Sequence, residues 1–183
     1  MNNYSSVQDG FVPGALGQAG YFDGADDYVL VNGLLGSPSD FTIAAWVDTE
    51  SIDTGGAEVI SVGDHFGVRL DESGSGNPIG FYRRTGDWDS TAHDEPFLNT
   101  GWRHIVYTMN DSADEQVLYV DGVVSNTTAY TGSVLYDQGV STYIGRHANG
   151  DTSYDFGGSI DDARVYNRAL SSEEVLHLYQ LGN

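Results

Sequence analysis

Aromatic, histidine and arginine side chains alternate with apolar residues in three short segments of this sequence. Alternate residues of a strand lie on opposite faces, so each segment predicts one face towards a core and one towards solvent. The predicted outward side chains, which form the first candidate site, are His65, Arg69, Tyr82, Arg84, Tyr143 and His147. Each outward set has a glycine at its centre, namely Gly67, Gly80 and Gly145. If the three strands are neighbours, these glycines form the floor of a shallow groove.

Such a groove has the chemistry of a sugar-binding surface. Aromatic rings pack against the C–H faces of sugars, and guanidinium groups bind acidic groups through a planar fork. Arg69, Arg83 and Arg84 lie within 16 residues in a chain that has seven arginines and no lysine. They predict a cationic patch that binds an acidic polysaccharide. The alternative is that acids on neighbouring strands pair with them, the candidates being Asp64, Asp71, Glu72 and Asp87.

Trp88 is a further candidate for binding. It lies in a polar segment, 85–90, that the sequence predicts to be a loop. An exposed indole on a loop is a stacking platform for a sugar, whereas an indole that folds back covers the end of the fold. Both interpretations stay open. Tyr154 and Phe156, in a later predicted loop, are weaker candidates for the same rim.

No carboxylates have the spacing of a glycan-cleaving site. Retaining hydrolysis needs two carboxyl groups about 5–5.5 Å apart, which alternate positions of one strand would supply. None of the glutamates falls in such an alternation, and Asp87 and Asp89 alternate only within the predicted loop. The sequence therefore predicts a domain without catalytic activity, and a glycan-cleaving enzyme is the less favoured alternative. His104 is expected to be structural.

The composition limits the class of protein. The 183 residues include 27 Asp+Glu against 7 Lys+Arg, which gives a net charge of −20, and no cysteine. So acidic a surface repels nucleic acids and anionic lipids, and disulfides and thiolate metal sites are excluded. Neither an apolar run of 18 residues nor a signal peptide is recognisable. We expect a linker remnant over 1–10 and a single domain over 11–183.

Short runs rich in Val, Ile, Tyr and Phe, separated by Gly, Asp and Asn, predict many strands joined by tight turns. The predicted strands are 28–31, 41–47, 58–62, 66–70, 79–83, 103–109, 116–120, 141–144 and 158–166. Asp121 and Gly122 predict a two-residue hairpin turn. Ser171 and Glu174 predict a capping box at the start of one short helix. The fold class is therefore all-β, a two-sheet antiparallel sandwich with a short C-terminal helix.

Several segments resemble, in the right order, the laminin-G-like and concanavalin-A-like jelly-roll family. The matching segments are GYFDG at 20–24, FTIAAWV at 41–47, WRHIV at 102–106, LYVDG at 118–122, IGR at 144–146 and GSIDDARVYNRALS at 158–171. Domains of this family are mostly non-catalytic parts of larger secreted bacterial proteins, and many bind carbohydrate, although the same fold includes glycanases. The resemblance thus implies a monomeric, extracellular domain of a multidomain chain that binds a polysaccharide. A structural or adhesion domain of a surface protein is the alternative.

The same resemblance implies a structural calcium ion. In laminarinase-type enzymes of this family, the first aspartate of the last strand helps to hold calcium, together with main-chain oxygens near the N-terminal motif. The resemblance carries this role to Asp161 and to the segment around Asp23, so we expect these two as calcium ligands, with Asp26 as a third. The alternative is that these acids only stabilise turns, and that the acidity of the chain serves solubility in a salty medium.

Overall fold

The computed structural model describes residues 10–33 and 35–183, which form two antiparallel sheets packed face to face. Except for Gly10, the predicted linker over 1–10 lies outside the described residues. The seven-stranded sheet has the order β1 (Phe11–Pro13), β2 (Gln18–Asp23), β13 (Gly157–Tyr166), β4 (Phe41–Ser51), β9 (Arg103–Asn110), β10 (Glu115–Val120) and β11 (Val123–Ala129). The six-stranded sheet has the order β3 (Val29–Val31), β12 (Thr142–Ile144), β5 (Ala57–Val62), β6 (Phe66–Leu70), β7 (Pro78–Arg84) and β8 (Asp87–Ala92).

The predicted all-β sandwich is confirmed, and every predicted strand is present. Their ends agree within two residues, apart from β4, which continues to Ser51. The predicted loop at 85–90 is wrong, because its residues from Asp87 onward belong to β8, which pairs with β7 from Arg84–Asp87 to Ile79–Ala92. Gly86, with a φ of +86°, closes the turn between these two strands. The polar residues of β8 concealed it, because an edge strand does not need an apolar face.

The two local signals read from the sequence are both present. Asp121 and Gly122 have φ values of 50° and 78°, which is the geometry of a type I′ hairpin turn between β10 and β11. Ser171 caps α1 (Ser172–Leu181) by accepting a hydrogen bond from the Glu174 N–H, and the Glu174 carboxylate accepts one from the Ser171 N–H. Short-range sequence patterns therefore fixed these two boundaries.

The main core lies between the sheets and is rich in aromatic rings. Phe41 of β4 stacks on Phe66 of β6 with 3.7 Å between ring centroids, which joins the centre of one sheet to the centre of the other. Tyr107 of β9 packs edge-on against Phe41 at 5.6 Å. All three side chains are fully buried. This packing fixes how the six-stranded sheet lies on its partner.

The helix α1 covers part of the outer face of the seven-stranded sheet. Val175 and Leu178 pack there in a second, smaller core. Beyond it, Tyr179 stacks on Trp46 at 5.4 Å and covers His104 of β9 at 6.0 Å. No helix in the described part of the chain is long and apolar enough to cross a membrane.

Burial beneath Tyr179 makes His104 a source of acid sensitivity. Desolvation lowers the pKa of His104 from 6.5 to about 4, so the folded state holds the ring neutral. In the unfolded chain the His104 ring takes up a proton below pH 6.5, whereas the folded state keeps it neutral. The contribution of His104 to the free energy of unfolding is therefore complete above pH 6.5 and is lost as the pH falls towards 4. We expect this group to lower the free energy of unfolding by about 1.4 kcal/mol per pH unit over that window.

Urea denaturation of the wild type and of His104→Gln at pH 7.5, 6 and 5 measures this effect. Since glutamine cannot titrate, the stability of the variant should fall less steeply with acid than that of the wild type. Equal slopes for the two proteins would show that the acid sensitivity comes from other groups.

Candidate functional site

A pocket of about 370 Å³ opens on the outer face of the six-stranded sheet. We call it the Trp88 pocket. Its walls come from β6, β7 and β8, from the turn between β5 and β6, and from the segment between β12 and β13. The lining residues are Asp64, Arg69, Ile79, Phe81, Trp88, Ser90, His147, Asn149, Asp151 and Tyr154. Of the residues predicted from the sequence, Arg69, Trp88, His147 and the weaker candidate Tyr154 meet here.

Aromatic rings give the pocket its shape. Trp88 projects from β8, is 42% exposed and meets Phe81 edge-on at 5.5 Å. His147 lies parallel to the Phe81 ring at 6.5 Å and is 5.0 Å from the Tyr154 ring. The Arg69 guanidinium lies over both Phe81, at 5.0 Å, and Tyr154, at 5.2 Å. The rings and the guanidinium therefore support one another and form a preformed concave surface.

The predicted outward direction of Tyr82 is wrong. Tyr82 is fully buried in the main core, and its hydroxyl reaches the edge of the fold, where it donates to Asp89 and accepts from the Thr131 N–H. The reason lies at the neighbouring Gly80, where an added Cβ would lie 2.3 Å from the ring of Tyr107. Tyr107 thus fills the space above Gly80, which turns the even-numbered residues of β7 to the core.

The same reversal places Phe81 in the pocket and removes Arg84 from it. Arg84 lies at the sheet edge, where its nitrogens are 3.7 Å from the carboxylates of both Asp87 and Asp89. Gly145 also faces the core, because Phe22 fills the space next to it. Of the three glycines predicted to form the floor, only Gly67 faces outward, and the Phe81 ring and Glu58 fill the space next to it, so none of the three forms the floor.

Two more of the predicted residues do not line the pocket. His65 is buried, and its two ring nitrogens bond to the carbonyls of Leu135 and Gly139, which cover it. Tyr143 lies on β12 with its ring 5.8 Å from that of Tyr28. Neither side chain belongs to the group around Trp88.

A buried glutamate beneath the pocket was not recognised from the sequence. Glu58 of β5 lies opposite Arg69, and its Oε1 is 2.9 Å from the point where Gly67 would carry a Cβ. Glu58 is fully buried. Burial raises its pKa well above the usual value, and the Arg69 charge opposes that rise. Its one signal is its position as the lone acid in the apolar run 57–62.

The predicted cationic patch is also wrong, because Arg83 and Arg84 are each paired. Arg83 forms a salt bridge with Asp137, which lies far away in the sequence. Arg84 faces the two carboxylates of β8. The acids around the Trp88 pocket outnumber its one arginine, and burial keeps His147 neutral by lowering its pKa. The pocket therefore carries no excess of positive charge.

The acidic cluster near the N-terminus differs from the predicted set. Carboxylate oxygens of Asp23, Asp26 and Asp27 all lie within 4.8 Å of one another. Asp161 is not among them, because its carboxylate accepts hydrogen bonds from the backbone of Leu16 and Asp162. Asp23 also accepts from the N–H groups of Ala25 and Asp26, which is the turn geometry given as the alternative. The three clustered carboxylates are hard oxygen donors that match the preference of calcium.

The comparisons with known proteins agree with this architecture. A family model described as the concanavalin A-like lectin/glucanases superfamily matches residues 23–176. No curated protein matches the chain.

Solved structures of the same shape include domain 4 of an extracellular arabinanase from Geobacillus stearothermophilus, in complex with arabinotriose. It has a TM-score of 0.71 and 19% identity over 93% of this chain and 80% of that one. A heptameric pentraxin from Limulus polyphemus has a TM-score of 0.66 and 13% identity over 87% and 80% of the two chains. A putative carbohydrate-binding protein from Bacteroides ovatus has a TM-score of 0.67 and 19% identity over 86% and 45%. At these identities the likeness establishes the fold.

The opposite directions of Tyr82 and Trp88 predict unequal effects on stability. Tyr82→Ala removes a fully buried ring and should lower the free energy of unfolding by about 3–5 kcal/mol. Trp88→Ala removes a partly exposed ring from an edge strand and should cost less than about 1 kcal/mol. Urea denaturation of both variants measures the difference. Similar losses would contradict the assigned directions.

Proposed function

The chain belongs to the concanavalin A-like lectin/glucanase superfamily, and we propose that it is a carbohydrate-binding domain whose ligand occupies the Trp88 pocket. The observation that carries this proposal is the grouping of Trp88, Phe81 and Tyr154 around polar side chains in one concavity. Aromatic faces bind the apolar side of a sugar ring, and a few fixed polar groups orient its hydroxyls. The volume of about 370 Å³ suits a small part of a glycan chain.

The exposure of Trp88 supports a ligand rather than a structural role. Its side chain is 42% exposed, although the protein buries most of its other large apolar groups. Covering a large ring that is exposed to water lowers the free energy, so the exposed indole favours binding of a partner.

The solved structures support the same proposal by analogy. The arabinanase domain of this shape holds an oligosaccharide, arabinotriose. By extension, we place this domain as a monomeric module in a larger extracellular protein that acts on or adheres to polysaccharides. The identity of the glycan has to come from the pocket itself, because a shared fold does not fix a ligand.

The burial of Glu58 favours binding over cleavage. A general acid must reach the glycosidic oxygen, yet Glu58 is fully buried, in the space between Gly67 and the Phe81 ring. Its raised pKa is thus a consequence of burial and does not place a proton at a substrate. We accordingly propose a domain that binds glycan without cleaving it.

We further propose calcium as a structural ion, held by Asp23, Asp26 and Asp27. Three carboxylates within 4.8 Å repel one another, and a divalent cation relieves that repulsion. Arg146 reaches the same loop by donating a hydrogen bond to the Ala25 carbonyl at 3.1 Å. Calcium bound here would hold the loop between β2 and β3.

Loss of the indole should weaken glycan binding without unfolding the domain. We expect Trp88→Ala to reduce affinity about 10- to 100-fold, since burying an aromatic face contributes about 1.5–3 kcal/mol. The measurement is affinity electrophoresis on neutral, uronate-rich and sulfated polysaccharides with calcium present, followed by titration calorimetry on those retained. Phe11→Ala is the matched control, because Phe11 is an exposed ring on the other sheet.

If Trp88→Ala and Phe11→Ala weaken retention equally, the ligand does not bind in the Trp88 pocket. A folded wild type that no polysaccharide retains would favour the structural or adhesion alternative.

Calcium should raise the melting temperature through the acidic cluster. At about a hundredfold excess over its dissociation constant, an ion bound only to the folded state adds about 2.7 kcal/mol, which is roughly 5–10 °C for a domain of this size. The calcium-dependent shift, measured by scanning calorimetry against EDTA, should vanish in Asp27→Asn and persist in Asp94→Asn, an exposed acid elsewhere. An unchanged melting temperature in the wild type would leave the carboxylates as turn-forming groups only.

A further inference from the structure

Arg69 differs from the other six arginines of the chain in having no ion-pair partner among the described residues. The others pair with acids as follows: Arg83 with Asp137, Arg84 with Asp87 and Asp89, Arg103 with Asp121, Arg146 with Asp155, Arg164 with Asp162, and Arg168 with Glu174. In a protein with 27 acids, an unpaired arginine is the exception. It is also the arginine that lines the Trp88 pocket.

The guanidinium of Arg69 is held in place, although its hydrogen-bond donors lack acceptors among the described residues. Its charge lies over the rings of Phe81 and Tyr154, which fix its position through cation–π contacts. Its Nε is buried and donates to no acceptor in the described structure. The residue as a whole is only half-buried and lines the pocket, so the remaining N–H groups of the guanidinium are the donors that a ligand can reach. The pocket therefore presents hydrogen-bond donors in a fixed position.

Unsatisfied acceptors lie in the same place. Asp64 Oδ1 is buried and accepts no hydrogen bond from the described residues, and the Nε2 of the neutral His147 is 3.6 Å away. Asp151 lines the same wall. The pocket thus offers donors and acceptors side by side.

This mixture of signs discriminates against charged ligands. A carboxylate or sulfate that approaches Arg69 also approaches Asp64 and Asp151, on a protein of net charge −20. An ammonium group that approaches those acids also approaches the Arg69 charge, which lines the same pocket. A hydroxyl group satisfies both kinds of partner, because it accepts from the guanidinium and donates to a carboxylate.

We infer that the Trp88 pocket selects an uncharged sugar unit, bound through adjacent hydroxyl groups between Arg69 and Asp64, over uronate, sulfated or amino sugars. This inference rests on the proposed function, and it replaces the acidic polysaccharide expected from the sequence. Arg69 is then the residue that sets specificity, and the aromatic rings supply most of the contact area.

The test compares glycans that differ only in charge. Polygalacturonate is paired with its methyl ester, a sulfated galactan with the desulfated polymer, and chitosan oligomers with their N-acetylated forms; neutral glucan, xylan and arabinan complete the set. Affinity is measured by calorimetry from about 0.01 M to about 1 M NaCl, over which the screening length falls from about 30 Å to about 3 Å. We expect a neutral member to bind, more tightly than any charged form, with an affinity that changes less than about twofold with salt.

Tighter binding of a charged member, weakened by salt, would overturn the inference while leaving the proposed function in place. If no member binds, the proposed function itself fails.

Substitution of Arg69 tests its role directly. Arg69→Gln should weaken binding of the neutral glycan about 10- to 100-fold, because a hydrogen bond from a charged donor is lost, and Arg69→Lys should restore part of it. Arg83→Gln is the matched control. Arg83 lies on β7, on the same outer face of the sheet as Arg69 on β6, but it is paired with Asp137. Thermal unfolding confirms that each variant is folded. Equal affinities of Arg69→Gln and the wild type would remove Arg69 from the site.

Discussion

Packing of aromatic rings between the two sheets is the constraint on which the rest of this structure depends. The chain has no cysteine, so no covalent link joins the sheets. Phe41 on Phe66 provides the central contact, and Tyr107 beside them enters the space that Gly80 leaves open. Because Tyr107 fits only over a residue without a side chain, it determines which face of β7 is turned inward. The outward face, and with it the candidate site, follows from that choice.

The two sheets differ in what covers their outer faces. On the seven-stranded sheet, α1 packs through Val175 and Leu178 and covers part of the surface. On the six-stranded sheet, the turn after β5 and the segment before β13 rise at the sides and leave the Trp88 pocket between them. Strands thus provide rigid positions for Arg69 and Trp88, while loops supply the walls. Because loops can vary while the strands stay fixed, proteins with one fold can bind many different ligands.

The positive charges of this protein do not form one region of the surface, because most of the arginines are paired individually with acids. Six arginines pair with acids, as Arg146 does with Asp155 and Arg103 with Asp121. These ion pairs are local contacts in an acidic protein, and an exposed pair by itself contributes little to the free energy of unfolding. They leave Arg69 as the one arginine without an acidic partner in the described structure. The proposed binding site lies where this pairing is incomplete.

The sequence by itself determined most of the elements of this fold, because alternation, turns and caps are local. Nine strands, the hairpin at Asp121 and the cap at Ser171 are as predicted, whereas β8 was expected as a loop. The pattern also pointed to Arg69, Trp88 and His147. Only the tertiary structure decided the orientation of β7, since both of its faces carry apolar residues and the local pattern cannot choose between them. Ion-pair partners were likewise out of reach, because Arg83 and Asp137 are 54 residues apart and meet only in the folded chain.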